Sequence, residues 1–313
     1  MKYITMNRIA LTLLLSSAGL ASAAINPPYT ADANTVHLWH FDEPLVTPNN
    51  SAGRQYPNDA PGVITPWRLD NGYYDPTYQS GIMGGTGYSG FGGAGVLDHS
   101  PNYFEFRKGN NDYGIPPGGT GGTNITSTQL LGSTSGAFTI DGMIRWDGGQ
   151  GGSTAGNILN CGDNSSTGKL RLVMQNAGTV PVFTIGLPNN QSFTTTAAIP
   201  TLTTSDWYHF AMTFDGNNAG GSPLNFYWTK VDPLATQANL VQTFSSNSTT
   251  AYDVQNSFQI GWWGGSNFDG LVDEVRISNV ARSADGMIFI PEPSTTLSCL
   301  LGSAVLLLRR RRM

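Results

Sequence analysis

Two stretches of this chain alternate between apolar and polar residues too regularly to be helical. In residues 137–146, Phe138, Ile140, Ile144 and Trp146 fall on one side of an extended backbone with Gly142 between them, while Thr139, Asp141 and Arg145 fall on the other. In residues 207–214, Tyr208, Phe210, Met212 and Phe214 face one way and His209 and Thr213 the other. Successive side chains of a strand point to opposite faces, so each stretch reads as a half-buried strand. Shorter strands are predicted at 36–41, 103–107, 169–174, 182–186, 224–229, 258–262 and 271–277, punctuated by turn pairs such as Asp147-Gly148 and Asp215-Gly216. Many short strands joined by glycine-rich turns, with no linker between two cores, specify a one-domain all-β sandwich. Residues 44–93 and 109–136, dense in Gly, Pro, Asn, Ser and Thr, are expected to run over its surface as long excursions.

The two ends belong to a different physics. Lys2 and Arg8 precede an apolar stretch at 9–15 and the small residues Ala21, Ser22 and Ala23, the pattern of a signal peptide over 1–23 that leaves a domain at 24–290. At 291–313, Pro291, Glu292 and Pro293 are followed by an apolar run and then Arg309, Arg310, Arg311 and Arg312. That run is shorter than the roughly 20 residues that span a relaxed bilayer, so it would hold a membrane as a short transmembrane segment, with local thinning. The four arginines would stay on the cytoplasmic side and leave the domain outside. The tail resembles the PEP-CTERM sorting signal of Gram-negative surface proteins, which implies an exosortase-type sorting partner and a place at the outer envelope or its matrix.

Setting both ends aside leaves ten basic against twenty acidic residues, about −10. Such a balance excludes nucleic acid as a partner, because phosphates are bound by basic surface. Charged residues are 12% of the chain, against about 25% in an average protein. Ser, Thr, Asn and Gly supply the polar surface instead. Of the two cysteines, Cys299 lies in the tail, so Cys161 has no disulfide partner within the domain.

The ordered segments Leu38-Trp39-His40-Phe41-Asp42, Ala137-Phe138-Thr139-Ile140, Asn157-Ile158-Leu159, Trp207-Tyr208-His209-Phe210-Ala211-Met212 and Gly270-Leu271-Val272-Asp273-Glu274-Val275-Arg276-Ile277 resemble the laminin G-like, concanavalin A-like domain. The resemblance implies a two-sheet antiparallel jelly-roll sandwich with a curved face, used by its members for carbohydrate binding, adhesion or, in distant relatives, glycoside hydrolysis.

Retaining glycosidases need two carboxylates about 5 Å apart, and the hydrolases of this fold carry them at alternating positions of one strand. Glu43, Glu105 and Glu274 are the only glutamates of the domain and none has that spacing, so the expectation is a non-enzyme. Gly85 to Gly90 satisfies a dinucleotide-binding pattern without the helix that would receive a pyrophosphate. His37 and His40, three apart in a strand, point to opposite faces and cannot chelate one ion.

In a jelly roll of this type the first and last strands are neighbours, which would bring Asp42 or Glu43 near Asp273 and offer calcium a set of hard oxygen ligands. The alternative is that Asp273 and Glu274 cap a turn or pair with Arg276 and Arg282. For ligand contact the candidates are Trp262, Trp263 and Trp67, as sugar platforms or as packing residues. The function expected is non-enzymatic binding of a glycan or matrix polysaccharide. The alternatives are a structural or adhesive surface protein without a specific ligand, or a hydrolase with an unrecognised carboxylate pair.

Overall fold

The computed structural model describes residues 29–42, 55–56, 67–71, 82–88, 91, 93–97, 104–108, 130–132, 136–148, 155–161, 170–176, 180–187, 191–216, 222–231, 235, 237–246, 258–261 and 268–287. They form two eight-stranded antiparallel sheets. Sheet A runs β14 (Leu240–Ser246), β13 (Ser222–Lys230), β12 (Tyr208–Phe214), β7 (Phe138–Trp146), β16 (Gly270–Ser278), β5 (Gly93–Leu97) and β4 (Ile82–Thr86), and β1 (Thr35–Trp39) also pairs with β16. Sheet B runs β11 (Gln191–Thr194), β10 (Val182–Leu187), β9 (Leu170–Gln175), β8 (Ala155–Cys161), β15 (Phe258–Ile260), β6 (Phe104–Lys108), β3 (Trp67–Asn71) and β2 (Gln55–Tyr56).

The inward residues predicted for β7 and β12 meet those of sheet B in one core. Phe138, Ile140, Phe210 and Met212 pack there with Ile158, Leu172, Phe183, Ile185 and Phe258. The two strands are nevertheless not half-buried, as their alternation implied. All seven residues of β12 and eight of the nine in β7 are buried. A second apolar layer covers the outer face of sheet A, built from Tyr29, Phe91, Trp207, Val231, Ala238 and Met287 around Met143, Ala211 and Leu271. Alternation reports which face is apolar; it does not report what lies on the other.

The long excursions also differ from expectation. Residues 44–93 contain β2, β3 and β4 and the first residue of β5, and Leu130 and Leu131 near the end of the second stretch are core residues. Glycine-rich strands such as β4 carry too few large side chains to announce themselves. The strand predicted at 258–262 stops at Ile260, because Gly261 takes φ +90° and turns the chain.

Candidate functional site

The outer face of sheet B is where polar side chains gather. A bulge in β8 between Asn157 and Leu159 lets Ile158 and Leu159 both enter the core, leaving Asn157 and Asn160 at outward positions. Register then sets a row across five strands: Glu105 opposite Gln259, Gln259 opposite Asn160, Asn160 opposite Arg171, and Arg171 opposite Gly186. Asn160 Nδ2 donates to Gln259 Oε1 at 3.3 Å. Although they point away from the core, Asn160 and Gln259 are only 2% and 7% exposed, whereas Arg171 is half-buried. Beyond the row, Thr184 and Thr194 bring their hydroxyls to 3.3 Å. An amide both donates and accepts, so the row has hydrogen-bonding chemistry that hydroxyl groups match.

The outer face of sheet A is chemically closed. Arg276 grips Asp141 through Nε at 3.1 Å and Nη2 at 2.7 Å, its guanidinium lies 3.9 Å from the centre of the Tyr29 ring, and the Tyr29 hydroxyl donates to Asp141 Oδ2 at 2.7 Å. His209 Nε2 sits 3.2 Å from that hydroxyl. Burial would raise the Asp141 pKa, but Arg276 and His209 outweigh it and hold the carboxylate well below its usual range. Burial lowers the His209 pKa against the pull of Asp141, so the ring is neutral at pH 7 and donates its Nε2 proton to the tyrosine oxygen. All four groups are buried, which makes this cluster a clasp of the fold rather than a reaction centre.

The first and last strands are neighbours, as the resemblance implied. One edge of β16 is shared: β5 pairs with Gly270, Leu271 and Val272, and β1 pairs with Val275 to Ser278. The bulge between those halves holds Asp273 and Glu274, the latter at φ +51°. Neither acid pairs with Arg276 or Arg282, the alternative the sequence left open, because Arg276 takes Asp141 and Arg282 takes Asp32. Glu274 binds His40 Nδ1 at 2.8 Å and accepts the Tyr29 amide at 2.7 Å. Asp42, just past β1, accepts the amide of Gly93 at the start of β5. Asp273 is fully buried and neither of its carboxyl oxygens has a hydrogen-bond partner. Burial, with the charges of Glu274 and Asp42 added, pushes its pKa up to about 9, and the nearby backbone of Glu274 and Tyr88 offsets only part of this.

An orphaned buried carboxyl facing a second acid is the donor chemistry of a hard cation. Among the described residues no three His, Cys, Asp or Glu side chains converge for a metal, so Asp42 and Asp273 would need backbone oxygens or water to complete a shell. Glu43, Trp262, Trp263 and the sorting residues 291–293 and 309–312 lie outside the described residues, as does the whole apolar tail. Trp67 opens β3 opposite Lys108, and only its backbone is described. Among the described residues no helix is long and apolar enough to cross a membrane. His37 stacks on Trp39 with ring centres 5.4 Å apart, while His40 reaches Glu274, so the two histidines do not meet on one ion. The amide row escaped sequence reasoning because Asn157 and Asn160 share a face only through the bulge.

Residues 117–286, more than half of the chain, match the Laminin_G_3 family, described as the concanavalin A-like lectin/glucanases superfamily. The chain belongs to that superfamily. No curated protein matches this laminin G-like chain in sequence. Among solved structures, the binding domain of Paraclostridial Mosquitocidal Protein 1 is similar at 12% identity and TM-score 0.50, over 82% of this chain and 52% of that one. The botulinum neurotoxin serotype D ligand binding domain in complex with N-acetylneuraminic acid is similar at 12% identity and TM-score 0.50, over 83% of this chain and 50% of that one. The laminin G-like chain thus spans about half of these binding domains, and at such identity the likeness shows the fold alone.

Proposed function

We propose that this laminin G-like domain is a non-enzymatic glycan-binding module, that its site is the outer face of sheet B, and that the protein acts outside the cell. The observation that carries this reading is the polar surface of that face, which continues from the packed Asn160–Gln259 amide pair to the exposed hydroxyl pair of Thr184 and Thr194. Amides serve as donor and acceptor at once, as a sugar hydroxyl does, and a site whose polar groups go unmatched by the wrong ligand discriminates strongly. A solved binding domain that resembles this chain over half of its own length was seen with N-acetylneuraminic acid, which makes a saccharide the class of ligand to test first. The signal-peptide pattern and the PEP-CTERM-like tail support export, exosortase-type sorting and a final place at a Gram-negative envelope, where polysaccharide is the abundant partner. Calcium belongs to the same proposal, held by Asp42 and Asp273. Its role would be to neutralise the buried acid and pin the exit of β1 to the start of β5 beside β16.

The test is a panel of polysaccharides presented to the full-length chain in mild detergent. Saturable binding to a defined glycan that falls at least tenfold in an Asn160→Ala, Gln259→Ala double variant, with circular dichroism unchanged, is the expected result. Binding of no glycan, or binding indifferent to the double substitution, would remove this reading.

A further inference from the structure

The described strands with a neighbour on one side only are β14, β4 and β1 in sheet A and β11 and β2 in sheet B. A second chain can add a strand at such an edge, and folds blunt their edges by shortness, bulges, charge or cover. β2 has two residues and β11 four; β4 is bulged at its middle, between Met83 and Gly85; β1 is bulged between Thr35 and His37 and buried at four of its five residues. β14 has seven residues, none of them charged and none proline. Its one bulge lies near its start, at Val241, and Gln242 to Ser246 stay in regular register with β13.

That register fixes which main-chain groups face outward. Opposed residues of an antiparallel pair alternate between those that exchange hydrogen bonds and those whose N–H and C=O point away from each other. Pro223 stands opposite Ser245 and has no N–H, so that pair is of the second kind, and so is Asn225 opposite Thr243, two residues along. On the other parity, Trp228 N–H bonds across to the Asn239 carbonyl, just before β14, at 3.0 Å. Thr243 and Ser245 therefore turn both N–H and C=O to the free edge, and their side chains are exposed too. Leu240, at the start of the strand, is 49% exposed.

The edge lies on the uncharged side of an acidic domain. Residues 172–205, 216–229 and 233–252 contain no Asp, Glu, Lys or Arg, and they hold β10, β11, β14 and all of β13 but Lys230. β11 lies against β14 to form one wall: Gln242 Oε1 accepts the Thr196 amide at 2.8 Å, Ser246 donates to Gln191 Oε1 at 2.9 Å, and the rings of Phe193 and Phe244 are 5.2 Å apart. Copies of a domain carrying about −10 repel one another where their charges meet, and at physiological salt that repulsion is screened beyond about 8 Å. A wall without charges is where a second copy approaches with least repulsion.

We infer that this edge is a self-association surface: two copies of the chain pair antiparallel through β14 about a two-fold axis at Phe244, so that Thr243 of each faces the partner's Ser245 and sheet A continues from one copy into the other. A strand paired antiparallel with itself makes an isologous contact, which closes after two copies. The outward N–H and C=O groups of Thr243 and Ser245 supply its hydrogen bonds. The contact leaves the outer face of sheet B uncovered, so it stands or falls apart from the glycan-binding reading.

Sedimentation equilibrium of the full-length chain in a density-matched mild detergent reads the assembly, and the expected result is a reversible monomer–dimer equilibrium. Thr243→Lys combined with Ser245→Lys puts like charges opposite each other twice across the axis and should weaken association about tenfold, with circular dichroism unchanged. Thr243→Lys combined with Ser245→Glu puts opposite charges there instead and should associate at least as tightly as wild type. Both variants lose the same Thr243 hydrogen bond to Asn225 Oδ1, so the difference between them reads the pairing. A monomer at every concentration overturns the inference. So does a dimer that survives the double lysine substitution, or association lost equally in both double variants.

Discussion

The Tyr29 hydroxyl donates a 2.7 Å hydrogen bond to Asp141, 112 residues away, and so anchors the N-terminal segment to the middle of sheet A. The same tyrosine gives its amide to Glu274 and its ring face to Arg276, which itself reaches the carbonyl of Gly286 at 3.4 Å. The strands and loops at both ends of the domain thereby share one buried ionic cluster.

That cluster sets the response to mutation. Removing one partner of a buried ion pair leaves the other uncompensated, so Arg276→Ala should cost about 3–5 kcal/mol. Tyr29→Phe keeps the ring under Arg276 and loses one hydrogen bond, with an expected cost of about 1–3 kcal/mol. Urea denaturation should show lowered midpoints in that order. A midpoint for Arg276→Ala equal to wild type would mean the cluster is not formed in solution.

Acid should act through the same groups. The folded pKa of Asp141 is depressed, so its stabilising contribution is full above its unfolded value near 4 and is lost as pH falls toward the folded value. The melting temperature should therefore drop steeply below pH 4, and Asp141→Asn, less stable at pH 7, should show a shallower drop.

Asp273 works with the opposite sign. Its folded pKa of about 9 lies above its unfolded value, so the folded state binds the extra proton and stability falls as pH rises from about 4 to 9 in the absence of a cation. Calcium bound at Asp42 and Asp273 would displace that proton and remove the slope. Melts in chelator should decline between pH 5 and 8, calcium should restore stability at the upper end, and Asp273→Asn should abolish both effects. A melt indifferent to calcium and chelator would end the calcium proposal, and an unchanged slope in Asp273→Asn would locate the titration elsewhere.

Gly270 is irreplaceable on geometric grounds. At φ +152° it opens β16, and a Cβ there would lie 1.9 Å from the Arg145 carbonyl oxygen in the paired strand. Gly270→Ala should destabilise by well over the roughly 1 kcal/mol that a compatible glycine site tolerates, read as loss of soluble, cooperatively unfolding protein.

Much of the scaffold was legible. Phe138, Ile140, Phe210 and Met212 face the core as their spacing said, and the adjacency of the first and last strands followed from the resemblance carried by residues such as Leu38-Trp39 and Val272-Asp273. The glycine-rich strands β4 and β5 were missed because a period of two cannot be read where side chains are absent. The site was less legible than the fold. Tryptophans drew attention in the sequence by size, whereas the amide row of Asn160 and Gln259 joins residues about a hundred positions apart.

What the sequence determined by itself is local: which segments extend, which face of each is apolar, where turns fall, and that the domain is acidic and poor in charge. Those follow from side-chain direction and backbone preference within a few residues. The tertiary structure alone decided that Asp141 belongs with Arg276, that Asp273 is left in the seam between β1 and β5, and that Thr243 and Ser245 turn their main-chain groups to the free edge of β14. Each depends on strand register, which is fixed when distant segments bury their apolar faces together and which a bulge of one residue can shift.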